Sequence, residues 1–176
     1  MTVRGPHLVL VGMMGAGKTT AGTLAAAALG RPFLDSDAEI EARTGRTVRD
    51  IFAHEGEPAF RRLESDVVRA ALAGAEPAVI AAAGGTVLDP ENRAAMRGAG
   101  TVVWLRARPG VLAERAVVGG HRPLLDDDAA TTLTRLAAER EPLYLEVADE
   151  VIETDEVRLD DIVERLVALA SRESVR

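Results

Sequence analysis

Residues 12–19 read Gly12, Met13, Met14, Gly15, Ala16, Gly17, Lys18, Thr19, which is GxxxxGK followed by Ser or Thr. Before this segment lies the apolar run at 7–12, and after it an Ala-rich stretch at 18–29. The order predicts a buried parallel strand, a glycine-rich turn and a helix. Glycines let the backbone wrap with its N–H groups facing inward, and the helix that follows turns its positive end toward the same point. An anion, above all the phosphate chain of a nucleoside triphosphate, is the ligand such a loop is built for, with Lys18 on the phosphates and the Thr19 hydroxyl on Mg²⁺. Of the 21 basic residues, 20 are arginine and one is lysine, and that lysine is Lys18. A compact ammonium is kept where a planar guanidinium does not fit.

The rest of the 176-residue chain repeats the alternation. Strands are predicted at 32–35, 78–82, 101–105 and 150–153, each separated from the next by helical pattern. This predicts one α/β domain over residues 1–176, with helices on both faces of a parallel sheet. Glu57 before Pro58 and Asp89 before Pro90 mark helix starts, an acidic residue beside a proline suited to the first helical position. Phe60, Leu63, Val67 and Ala71 share one helix face, as do Ile162, Leu166, Leu169 and Ala170, and both faces are read as core. No apolar run reaches the length that spans a bilayer, and no secretory leader is visible at residues 1–6, so a cytoplasmic protein is expected. The absence of cysteine agrees with a reducing compartment. A net charge of −7 argues against a nucleic-acid partner. Residues 119–128, opening on Gly119 and Gly120, and the tail after Ala170 read as mobile.

Three further groups carry chemistry, each beside a plainer reading. Asp35 and Asp37 end the second strand; they face a crevice above the sheet, one near a metal and one near an acceptor hydroxyl, or they form an acidic turn that caps the next helix. Arg61 and Glu64 stand three apart on one helix face, so Glu64 orients the guanidinium for a carboxylate, or the two are a surface ion pair; Arg62 points to solvent. Gly84 and Gly85, after Ala83, admit a ligand close to the backbone or make a turn, and they are expected to take the unusual backbone angles while Ala83 stays extended. Arg122, in the glycine-led segment, has the setting of a cation on a closing loop. Arg115 precedes that loop, and Arg140 precedes Pro142, which is expected to kink or end its helix and expose the guanidinium. His7, His54 and His121 lack metal-ligand spacing.

In order, GxxGxGKT, DxD, FRxxE, a Gly pair, RPLL and RxPLY run from Gly12 to Tyr144, and the set resembles the shikimate kinase pattern over nearly the whole chain. The resemblance implies a nucleoside-monophosphate-kinase-like three-layer sandwich with a central five-stranded parallel sheet and a mobile lid at about 119–128. It implies ATP, Mg²⁺ and transfer to the 3-hydroxyl of shikimate in aromatic amino-acid biosynthesis, by a monomer without a membrane or nucleic-acid partner. Gly12, Gly15, Ala16, Gly17, Lys18, Thr19 and Thr20 would hold ATP, with Arg115 against adenine and Arg122 on the transferring phosphoryl. Thr19 and Asp35 would hold the metal. In the acceptor region, about 35–65 and beyond, Asp37 would bind shikimate hydroxyls and serve as base, Arg61 and Arg140 would grip its carboxylate, and Gly84 and Gly85 would offer backbone contacts. Lys18, Asp37 and Arg122 would be the catalytic set. The chain departs from the family's three glycines at Ala83. Rival expectations are a gluconate or nucleoside-monophosphate kinase and a catalytically weak nucleotide-binding homologue; a guanine-specific switch is disfavoured by the single lysine.

Overall fold

A computed structural model describes residues 5–118 and 128–173. β1 (His7–Val11) is buried along its whole length, as its uninterrupted apolar sequence demands of a strand covered on both faces. It lies at the centre of a five-stranded sheet with β2 (Phe33–Asp35), β3 (Val79–Ala81), β4 (Gly100–Arg106) and β5 (Glu150–Glu153), in the order β2-β3-β1-β4-β5. Every pairing is parallel, with Val9 opposite Ile80 on one side and Val102 on the other. Parallel neighbours require crossovers, and the chain supplies a helix for each. α1 (Lys18–Leu29) and α7 (Leu159–Glu173) pack together, and α4 (Pro90–Ala99) meets β1, β4 and α6 (Ala129–Val147). The helical tail runs on past Ala170 to Glu173, further than the sequence reading placed ordered structure.

α2 (Ser36–Thr44) and α3 (Val48–Leu72) form a smaller lobe beside the strand ends, closed by a second apolar cluster of Ile40, Ile51, Phe60 and Val67. α3 breaks at Gly56, which has φ 79° and ψ 169°, so a new helical segment begins at Glu57–Pro58 as expected. Pro90 likewise opens α4, capped by the Asp89 carboxylate on the Glu91 N–H. His7 has a part that spacing could not reveal. Its Nδ1 accepts from the Ala78 N–H at 3.2 Å, so Nε2 carries the proton and donates to the Gly74 carbonyl at 2.8 Å. One buried ring thereby satisfies two backbone groups of the turn that leads into β3. Among the described residues, no helix is long and apolar enough to cross a membrane.

Candidate active site

The loop after β1 and the first turn of α1 make one end of the site. Gly17 takes φ 96° and ψ 15°, a conformation open to glycine, and α1 starts without a side-chain cap. Its first N–H groups therefore remain available to an anion. Lys18 Nζ donates to the carbonyls of Gly12 at 2.6 Å and Met13 at 2.9 Å, curling the ammonium over the loop. Gly12 packs its backbone against the Leu105 carbonyl, and Ala16 is buried with its N–H on Met13, so these two shape the loop from behind.

Both readings of the Asp35 turn hold at once. One Asp35 oxygen, Oδ1, caps α2 by accepting from the Asp37 and Ala38 N–H groups at 3.0 and 3.1 Å. The other, Oδ2, accepts from the Thr19 hydroxyl at 2.8 Å. A hydroxyl and a carboxylate are thus paired beside the phosphate loop, a hard-oxygen set of the kind Mg²⁺ takes when phosphates and waters complete its shell. Asp37 lines the same cleft from the first turn of α2. Ser36 points the other way and accepts the Ala83 N–H at 2.9 Å, tying the ends of β2 and β3 together.

At the far end, Arg61 Nη1 donates to both oxygens of Glu64, at 2.9 and 3.1 Å, while Glu57 receives the outer edge of the guanidinium. This is no surface pair, because Glu64 is 1% exposed. Burial pushes its carboxyl up to about 7, against the opposing pull of Arg61. Relative to an unfolded chain near the ordinary value of 4.5, the folded protein holds a proton more tightly at Glu64. Its contribution to stability is therefore full below about pH 4.5 and is lost as pH rises through about 7. The always-neutral Glu64→Gln variant should gain on the parent over that window by on the order of 3 kcal/mol in urea unfolding. A constant difference between the two proteins from pH 4.5 to 8 would contradict this.

Gly84 and Gly85 do not adopt left-handed angles, contrary to expectation. What glycine provides there is close approach. A methyl on Gly85 would fall on the Arg61 guanidinium, and one on Gly84 would stand 3.2 Å from Arg140 Nη1 and 3.3 Å from the Gly12 carbonyl. Ala83 shows no left-handed angle either, so its methyl is carried without backbone strain. Arg140 also differs from expectation. α6 continues through Pro142 to Val147, and Arg140 is 2% exposed. The proline removes one helical hydrogen bond, but the same stretch packs Tyr144 into the core, where its hydroxyl donates to the Gly84 carbonyl at 2.6 Å and its ring tilts on Trp104. Burial raises the Tyr144 phenol well above its ordinary value, so it stays a donor.

A single cleft of about 1100 Å³ joins the two ends. Gly15, Gly17, Lys18, Thr19 and Thr20 line it on the loop side, and Asp35 and Asp37 line its middle. Arg61, Gly84, Gly85 and Arg140 close it, and Arg115 borders the loop, donating to the Gly15 carbonyl at 3.3 Å and to Thr154. Arg122 and residues 119–127 of the expected lid lie outside the described residues. Sequence reading missed Phe52 and Phe60 as cleft walls, their rings 4.5 Å apart, having assigned Phe60 to core alone. It also missed Thr154 as the anchor of Arg115, a contact across 39 residues that no local pattern reports.

A family model described as shikimate kinase matches residues 14–170. A shikimate kinase of Symbiobacterium thermophilum is 50% identical over 164 residues, covering 92% of this chain and 94% of that one. The solved structure of shikimate kinase from Acinetobacter baumannii in complex with shikimate superposes with a TM-score of 0.90 at 37% identity, over 99% of this chain and 97% of the other. A gluconokinase from Sinorhizobium meliloti shares the fold alone, with a TM-score of 0.60 at 21% identity over 98% and 94% of the two chains.

Proposed function

The chain belongs to the shikimate kinase family and is an ATP-dependent kinase, and on that premise we propose that its cleft transfers the γ-phosphoryl group of ATP to the 3-hydroxyl of shikimate. The observation that carries the proposal is the single cleft, with an uncapped helix start and Lys18 at one end and the arginines Arg61 and Arg140 at the other. The span sets a triphosphate end-on to a carboxylate-bearing acceptor. Positioning and charge then do most of the work, since the transferring phosphoryl passes through a loose transition state.

In this mechanism the α1 N-terminus and Lys18 hold the phosphates, and Arg61 and Arg140 grip the shikimate carboxylate. Gly84 and Gly85 let both guanidinium groups stand against the acceptor floor. Asp37 accepts the proton of the attacking hydroxyl as its oxygen bonds to the γ phosphorus and the bond to the leaving ADP oxygen breaks. Thr19 and Asp35 would hold Mg²⁺, which supplies neutralisation of the β and γ oxygens when bound. Thr20 adds a hydroxyl on the phosphate side, Arg115 flanks the adenine, and Arg122, outside the described residues, is assigned the transferring phosphoryl. We assign the enzyme to the cytoplasm, where its co-substrate ATP is at hand, and to a monomer.

ADP release measured with shikimate, quinate, gluconate and nucleoside monophosphates side by side tests the reading. Shikimate is expected to give the highest kcat/KM, with product carrying the phosphate at the 3-position. Preference for gluconate or a nucleotide would overturn the acceptor assignment and leave the kinase.

A further inference from the structure

We propose that Arg49 is an acceptor-capture residue, a cation at the cleft mouth that draws in the carboxylate of the incoming acceptor and lowers its KM. The proposal rests on the reading of this cleft as a shikimate kinase site.

Arg49 sits in the first turn of α3, behind the Thr47 cap, and lines the cleft on its acceptor side. Phe52 stands three residues on along the same helix face, and its ring meets Phe60, over which the Arg61 guanidinium lies at 5.5 Å. The wall thus leads from Arg49 inward to the arginine that receives the carboxylate. Among the four arginines on the described wall, Arg49 is the exposed one; Arg61 and Arg115 are half-buried and Arg140 is buried.

Two observations argue against an ordinary solvated side chain. A cation in the first turn of a helix opposes the helix dipole, so the position is electrostatically unfavourable. Its basic neighbours are neutralised, Arg43 by Glu39 and Arg46 by Glu55, whereas the Arg49 side chain forms no ion pair or hydrogen bond among the described residues. Glu39 and Glu41 border the same mouth, and the chain carries a net charge of −7. An anionic acceptor therefore approaches a negative surface, and Arg61 is already engaged by Glu57 and Glu64. An exposed, uncompensated guanidinium is the group whose field reaches such a ligand first.

The test is kcat/KM for shikimate at saturating ATP, measured at low and at high salt, for the parent and Arg49→Ala, Arg49→Lys and Arg49→Glu. Arg49→Ala is expected to fall roughly three- to tenfold at low salt and to converge on the parent at high salt, because an exposed charge is screened. Arg49→Lys should stay near the parent and Arg49→Glu should fall below Arg49→Ala, with kcat and KM for ATP unchanged throughout. Equal kcat/KM and equal salt slopes in all four proteins would overturn the proposal. So would a loss that persists at high salt or appears in kcat, which would assign Arg49 to packing or chemistry. A parent without shikimate-dependent turnover would instead overturn the acceptor reading, and the proposal with it.

Discussion

Replacing Lys18 with methionine is expected to lower kcat at least roughly a hundredfold while the protein stays folded, the scale of losing one preorganised electrostatic contact. The ammonium donates to two loop carbonyls, at 2.6 Å to Gly12 and 2.9 Å to Met13. That geometry keeps the charge over the point the phosphates reach, so no reorganisation is needed when charge builds on the transferring oxygens. Methionine keeps most of the stem and its packing and removes only the charge. Gly12 and Met13 are buried, so losing the donor leaves their carbonyls short of a partner, and unfolding should move down by on the order of 1–3 kcal/mol without loss of the fold. Arginine is not a rescue, because a planar fork does not fit where a point charge curls over the loop. Steady-state kinetics beside thermal unfolding checks the claim, and near-normal turnover in Lys18→Met would overturn it.

The nucleotide end was legible because its chemistry lies within eight consecutive residues, where spacing alone fixes geometry. The sheet was legible for a related reason: a strand buried on both faces is an apolar run whatever its neighbours, which placed β1, β3 and β4 to within a residue or two, while the half-buried β2 and β5 were placed by their alternation with helical pattern. The acceptor end was read less well. Arg140 was expected in solvent because Pro142 follows it, yet burying Tyr144 against Trp104 and the Gly84 carbonyl outweighs one lost helical hydrogen bond. Gly84 and Gly85 were expected to need unusual angles. Their requirement is space for two guanidinium groups arriving from α3 and α6, about 25 and 55 residues away in sequence, a distance across which no local pattern reports. His7 and Thr154 were silent for the same reason, since the backbone groups that His7 bonds and the Arg115 guanidinium that Thr154 holds are brought near only by the fold.

Arg140→Ala should raise KM for shikimate roughly a hundredfold, about 2.7 kcal/mol, and leave KM for ATP nearly unchanged. Arg140 is 2% exposed, and its buried Nε has no hydrogen-bond partner among the described residues. A desolvated guanidinium forms strong charge-assisted, two-pronged hydrogen bonds with a carboxylate that reaches it, so the interaction is spent on binding. The same reasoning predicts a small effect on stability. Truncation leaves a cavity, but it also removes a buried charge whose desolvation is costly. Arg140 also helps hold down the Glu64 carboxyl, so in the variant that carboxyl should rise further above 7. Arg140→Lys separates charge from shape: it keeps the cation but loses the two-pronged fork, and should recover only part of the affinity. An equal rise in KM for ATP and shikimate in Arg140→Ala would move the residue to the nucleotide side of the cleft, leaving Arg61 alone with the carboxylate.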